Sequence, residues 1–199
     1  MSRTTIRVVV ETTPKRVFVS ALDWPGLSRG GKTEAAAVEA LLVAAPRYAR
    51  VAAAAGHALE SDGLVIEVLE RAEGNATTEF GASAIVAAAD REPVDAVEAH
   101  RQAAIVEAAW AELDRIAAAA PEELRKGPRG GGRDRSTVVR HVVDAEAAYA
   151  AVMGRKHTPS DGSPIAGKKW PPRYAARRIA WHVLDHAWEI EDRSEPGAG

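Results

Sequence analysis

Two histidines near the end of the sequence, His182 and His186, lie four residues apart in a segment whose apolar pattern predicts a helix. This spacing puts both side chains on one helical face, with about 5–6 Å between their Cβ atoms. Ile179, Val183 and Ile190 share that face, so we expect it to be buried. Buried imidazoles need polar partners, and the spacing therefore favours two ligands of one metal ion.

A third histidine, His141, belongs to an earlier predicted helix and has Val138 and Val142 beside it on an apolar face. If the two helices pack side by side, three imidazoles converge. Three neutral imidazoles at about 2.0–2.1 Å from a divalent ion, with water in an open position, form a catalytic type of zinc site, and nickel and iron(II) accept similar donors. Hydrogen-bonded core histidines without a metal are the alternative interpretation.

A metal-ligating histidine also needs an acceptor for its second ring nitrogen. Four carboxylates close to the histidines in sequence are candidates for this role: Asp144, Glu146, Asp185 and Glu189. The sequence does not select among them. The remaining histidines are predicted to be surface residues: His57, His100 and His157.

Arginines offer a second kind of chemistry, because a guanidinium group binds phosphate or carboxylate bidentately. The candidates on the last helix precede the histidine pair: Arg173, Arg177 and Arg178. Residues 125–135 are also rich in arginine. The favoured alternative is a solvated loop together with Arg–Asp pairing on a helix face. Gly130-Gly131-Gly132 lacks both the phosphate-binding and the dinucleotide-binding spacing, so nucleotide binding is not predicted.

Composition excludes several classes of protein. The 199 residues carry a net charge of -2, which argues against a general nucleic-acid or membrane-surface binder. Without cysteine, the chain has no disulfides, thiol nucleophile, cysteine-ligated zinc or iron–sulfur cluster. Neither a signal peptide nor an apolar run of about 18 residues is present, so a soluble cytoplasmic protein without membrane contact is expected.

The elements that must position these residues indicate an α+β protein. Residues 6–10 and 16–22 predict a hairpin, residues 29–31 a loop, residues 34–54 a helix capped by Thr33, and residues 64–69 a third strand. This ββαβ unit is predicted to form a domain of residues 1–74, followed by a linker over 75–92.

The second predicted domain, residues 93–194, is helical. One helix runs from Pro93 to residue 120, and a second, capped by Asp134 or Ser136, reaches about Met153. Residues 154–170 hold too much proline and glycine for a full helix. The last helix starts at Pro171-Pro172 and ends near residue 193, leaving residues 195–199 as a disordered tail.

The histidine motifs, RSTVVRHVVDAEAAY and RRIAWHVLDHAWEIEDR, resemble those of the DinB/YfiT-like superfamily over residues 93–193. Its members are four-helix bundles that hold a divalent metal, commonly zinc or nickel, through three such histidines. The resemblance implies an up-and-down bundle with the metal on His141, His182 and His186. The segment between the motifs is too short for a complete helix, so a reduced third element is expected. A second subunit, as in a homodimer, or the N-terminal domain would then cover the open side of the core.

The segment FVSALDWPGLSRGGKTEAAAVEALLVAAPRYARV resembles the HicB-like fold of certain antitoxins over residues 6–69. No helix-turn-helix follows it, so the DNA-binding half of such antitoxins is absent. The resemblance implies a cover for the substrate, a surface for a protein partner or a dimerisation element.

Two functions are consistent with these patterns. Characterised DinB/YfiT-like branches include thiol-dependent S-transferases and the mycothiol-dependent maleylpyruvate isomerase. The resemblance thus implies a metal-dependent transferase or isomerase acting on a small-molecule substrate with a low-molecular-weight thiol, whose carboxylates the last helix's arginines would hold. The alternative is a non-catalytic protein-binding module with a structural metal or none. Nucleic-acid binding ranks last.

Overall fold

The computed structural model describes residues 4–126, 132–153 and 170–194. Over these ranges the chain has a four-stranded mixed sheet and five α-helices, which confirms the predicted α+β class. The strands are β1 (Thr5–Thr12), β2 (Val17–Ala21), β3 (Ser28–Gly31) and β4 (Val65–Glu73). The helices are α1 (Glu34–Ala54), α2 (Ala76–Phe80), α3 (Ala96–Ala119), α4 (Arg135–Val152) and α5 (Pro172–Ser194).

The sheet has the strand order β3-β2-β1-β4. β1 and β2 form the predicted antiparallel hairpin, and β4 returns parallel to β1 after α1 crosses over. The predicted loop at residues 29–31 is wrong, because these residues pair with β2 as an edge strand. Gly31 allows this strand to approach the start of α1, since a Cβ there would lie 2.5 Å from the backbone nitrogen of Ala37.

Helix α1 has the bounds and the cap that the sequence predicts. The side chain of Thr33 accepts a hydrogen bond of 3.1 Å from the backbone N–H of Ala36. The face that carries Leu41 and Tyr48 is buried, and the Tyr48 hydroxyl donates to the carbonyl of Pro25 at 2.8 Å. This bond joins α1 to the turn between β2 and β3.

Helix α3 begins three residues later than predicted, at Ala96 instead of Pro93. Asp95 caps it by accepting a 2.8 Å hydrogen bond from the backbone N–H of Glu98. Val97 therefore lies in the first turn and is 80% exposed. Helix α4 follows Asp134, but neither predicted cap forms: the Asp134 side chain makes no capping hydrogen bond, and the Ser136 hydroxyl donates to Glu122.

Helix α5 is the most buried helix of the described chain and packs against α3, α4 and the sheet layer. Trp181 meets Phe18 of β2 edge to face, with 5.5 Å between ring centroids. Strands and helices share one cluster of buried apolar side chains. Among the described helices, none is both long and apolar enough to cross a membrane. The predicted reduced third element, His157 and the tail at 195–199 lie outside the described residues.

Candidate metal centre

The three predicted histidines meet between α4 and α5. The ring centroid of His141 lies 5.3 Å from that of His182 and 4.9 Å from that of His186, and the two α5 rings are 4.7 Å apart. One ring nitrogen from each residue lies within 4.8 Å of the other two. The predicted convergence of the imidazoles is therefore confirmed, and they form a possible metal site.

The packing of the two helices accounts for this meeting. The face of α5 that carries the histidine pair is held in the interior by Ile179 and Val183, as the apolar pattern predicts. Helix α4 buries Val138 and Val142, which leaves His141, between them in sequence, at the margin of the helix contact. The expectation that His141 lies on a buried face is wrong, because this residue is exposed. The cluster consequently has a buried side and an open side.

Glu189 orients His186. Its carboxylate Oε2 lies 2.9 Å from Nδ1 of His186, one turn earlier on α5. This bond lowers the pKa of Glu189. Since a carboxylate oxygen can only accept, a neutral His186 donates the bond from Nδ1–H, and its Nε2 carries the free lone pair that can bind a metal. Arg193 fixes the other carboxylate oxygen at 2.8 Å. Glu189 thus has the role predicted for one of the four candidate carboxylates.

His182 is the buried member of the cluster, with 6% of the residue exposed. Its Nδ1 atom has no hydrogen-bond partner among the described residues. Burial, reinforced by the charges of His186 and Arg178, lowers the pKa of His182 to about 3. Burial also lowers the pKa of His141. Neutral imidazoles are the form that binds metal, and a buried nitrogen without a partner is costly unless it has a ligand. These residues fit a divalent ion.

The other three candidate carboxylates are placed differently. Asp144 is exposed on α4. Asp185 keeps accessible surface on α5, yet desolvation of its carboxyl group by the surrounding protein raises its pKa. Neither forms a side-chain hydrogen bond with a described histidine. Glu146 is half-buried, and one of its carboxylate oxygens is enclosed without a partner in the described ranges. Burial raises the pKa of Glu146 to about 7.

The three candidate arginines of α5 occupy three different environments. Arg177 is fully buried, and its Nε donates to Asp90 at 2.9 Å, an Arg–Asp pairing of the kind that the sequence favoured. Arg173 pairs with Glu98 at 3.3 Å. Arg178 lies beside the histidines, with its guanidinium 5.6 Å from the ring centroid of Tyr149. Of the three arginines, Arg178 is the one whose charge affects the pKa of a clustered histidine.

The described arginines of the 125–135 stretch also contact the protein itself. Arg125 donates to the carbonyl of Asp192, and Arg135 donates to that of Ala120 at 2.6 Å. Arg133 lies 3.8 Å from Glu189 and helps to lower the pKa of both His141 and His182. This stretch thus joins α5 to the end of α3, and one of its cations flanks the candidate metal centre.

Tyr149 is a component that sequence reasoning missed. Its ring centroid lies 5.6 Å from that of His182 and 5.1 Å from that of Trp170. The signal was present, because Tyr149 follows His141 by eight residues and therefore returns to nearly the same face of α4. The Tyr149 ring packs beside His182 of the histidine cluster.

No family model, curated protein or solved structure matches this chain. The likeness to the DinB/YfiT-like superfamily and to the HicB-like fold accordingly rests on the sequence motifs, and the two-domain division stays a prediction. The identification of the histidine cluster depends on the distances between its ring nitrogens and not on either likeness.

Proposed function

We propose that this protein binds a divalent metal ion, zinc or nickel, through His141, His182 and His186 and acts as a metal-dependent thiol S-transferase or isomerase. The convergence of three ring nitrogens within 4.8 Å carries the proposal. The histidine motifs of the DinB/YfiT-like superfamily support the reaction class.

The ion would act as a Lewis acid that lowers the pKa of a coordinated thiol or water and polarises a substrate oxygen. Each residue of the cluster would have its own role. Glu189 holds the ring of His186, burial keeps His182 neutral, and the exposure of His141 leaves the cluster accessible from outside. Because the chain has no cysteine, the thiol must come from a small molecule.

The charges around the cluster favour an anionic ligand. Three neutral imidazoles do not offset the charge of a divalent ion. The cations of Arg133 and Arg178 act to lower the pKa of His182, whereas the carboxylates of Glu189 and Asp144 act to raise that of His141. A thiolate or carboxylate from the substrate would balance this excess. Tyr149, stacked against Arg178, supplies an apolar surface for the body of such a ligand.

Metal content tests the first half of the proposal. Protein purified without a histidine tag should contain about one equivalent of zinc or nickel, and His182→Ala should contain none, because the buried ligand is lost. His100→Ala is the matched control, since His100 is exposed on α3 and outside the cluster. Absence of metal from the wild type, with no thermal stabilisation on adding zinc or nickel, would show that the histidines are core residues.

Ligand access tests the second half. The visible spectrum of cobalt-loaded protein should change when mycothiol or cysteine is added, because a site with an open position accepts a thiolate. Cysteine with a blocked sulfur is the control and should leave the spectrum unchanged. An unchanged spectrum with every thiol would mean a closed structural site, and the protein-binding alternative would then replace the enzyme.

A further inference from the structure

A cavity of about 470 Å³ lies between the β2–β3 edge of the sheet, the end of α2 and helix α5. Basic side chains dominate its lining. Its charged residues are Lys15, Arg16, Arg29, Lys32 and Asp185. A cavity of this size matches a small organic ligand, and its charge selects for an anion.

Three of these four cations have no carboxylate within salt-bridge distance in the parts of the chain that the structure describes. Lys15 pairs with Glu79 at 3.0 Å, whereas Arg16, Arg29 and Lys32 are left without such a partner among those residues. Arg29 is half-buried and donates to the carbonyl of Ser28 at 2.8 Å. Burial lowers the pKa of Arg29, and the nearby charge of Asp185 offsets only part of this effect. An anion bound here would offset more of it.

Two of the cations, Arg29 and Arg16, pack against other parts of the described chain. The guanidinium of Arg29 lies 4.5 Å from the ring centroid of Trp188, which limits its motion. The guanidinium of Arg16 lies over Gly81, where a Cβ would collide with it. Such preorganisation reduces the entropy lost on binding.

Aromatic rings form the apolar part of the cavity. Trp181 and Phe18, in edge-to-face contact, line its wall, and Phe80 lines it with 86% of its surface exposed. A flat apolar group would find contact area here.

The α5 wall of this cavity adjoins the histidine cluster. Trp181 and Asp185 line the cavity, and each directly precedes a clustered histidine, His182 or His186. The ring centroids of Trp181 and His182 are 6.2 Å apart. Helix α5 therefore contributes side chains both to the cavity and to the histidine cluster.

We infer that this cavity binds a small aromatic oxyanion, a carboxylate or a phosphate ester, with the oxyanion on Arg16 and Arg29 and the ring against Trp181. The cavity, its cations and its aromatic wall carry the inference. Binding of the anion in the cavity does not depend on the proposed function. The further statement that this anion is the substrate of the metal site does rest on the proposed function.

Isothermal titration of the full chain with phthalate and with phenyl phosphate tests the inference, and benzamide is the neutral control. We expect dissociation constants of about 10 µM to 1 mM for at least one anion and no binding of benzamide. Preference for phthalate would assign the oxyanion as a carboxylate, and preference for phenyl phosphate would assign it as a phosphate. Failure of both anions to bind would overturn the inference.

Three variants locate the binding. Arg29→Gln should weaken it about tenfold or more, and Lys32→Gln, at an exposed position that tolerates change, about threefold. Asp185→Asn should strengthen binding, because it removes the acidic side chain found among the described residues of the cavity lining. Arg50→Gln, at an exposed position outside the cavity, should have no effect. Equal affinities in all four variants would overturn the assignment to this cavity.

Metal analysis of the same samples keeps the two proposals separate. Anion binding by protein that takes up no metal would support the cavity and contradict the proposed function. Metal binding by protein that fails to bind either anion would do the reverse. The indole N–H resonance of Trp181, assigned with Trp181→Phe, should shift on titration if the anion occupies the cavity.

Discussion

Two of the regions that bury polar side chains differ in whether their polar atoms find partners within the described chain. Beside the sheet, buried Glu11 accepts hydrogen bonds from Thr78 at 2.8 Å, from Ser83 at 3.1 Å and from the backbone N–H of Ala84 at 2.9 Å. Between α4 and α5, buried atoms of His182 and Glu146 have no partner within the described ranges.

The contrast separates a structural cluster from a ligand site. A fully bonded carboxylate contributes stability by itself, because every donor around it is satisfied. A buried nitrogen without a partner lowers stability unless something binds to it. The hydrogen-bonding groups of the first region find their partners within the chain. Those of the second region would find theirs in a ligand. Three changes would sharpen or break this comparison.

Glu11→Ala should have the largest effect, because it leaves several buried donors unsatisfied at once. We expect a loss of about 3 kcal/mol in the free energy of unfolding, measured by urea denaturation. Glu60→Ala, at an exposed position, should change the value little. A loss below about 1 kcal/mol would remove Glu11 as a structural centre and with it the contrast.

Glu189→Gln should have the next largest effect, and on metal affinity more than on folding. The carboxylate orients His186, so its neutralisation should weaken zinc binding about 10- to 100-fold, measured by competition with a chromophoric chelator. Glu191→Gln is the matched control on α5, because Glu191 pairs with Arg47 and not with a histidine. Equal affinities in both variants would mean that Glu189 does not support the site.

Glu146→Gln should have the smallest effect, and its sign depends on pH. Burial raises the pKa of Glu146 from 4.5 to about 7, so the folded chain holds a proton that the unfolded chain releases above its lower pKa. The stability of the wild type should then fall as pH rises from 4.5 to 7. The variant has no charge to bury.

At pH 8 the gain in unfolding free energy from Glu146→Gln should be on the order of 1 kcal/mol, less than the full pKa shift implies because water reaches part of the group. Near pH 5 the gain should be small. Thermal unfolding at the two pH values measures the difference. Gln102→Glu is the control for the opposite change, because it adds a carboxyl group at a buried position. It should not gain unfolding free energy at pH 8. A pH-independent gain in Glu146→Gln would refute the buried ionisation.

Local patterns predicted much of the fold because local physics decides those features. Thr33 begins α1 as expected, since its hydroxyl satisfies an N–H of the first turn. The glycines of residues 29–31 disfavour a strand and predict a loop, yet these residues pair with β2. Close approach to α1 permits only glycine at Gly31, and no local pattern shows that approach. Asp95, and not Pro93, precedes the start of α3, because its side chain accepts a hydrogen bond from an N–H of the first turn.

The sequence by itself determined that His182 and His186 share one face of a helix, because a period of 3.6 residues puts i and i+4 together. It also determined, through the buried apolar positions around them, which face of α5 points inward. Only the tertiary structure decided that His141 reaches them, that Glu189 is the carboxylate that orients a ring, and that Arg177 is joined to Asp90. It also decided that four cations from the sheet layer gather next to the same helix. These contacts join segments far apart in the chain, or select among neighbours of equal chemistry, and the packing of the whole core sets both.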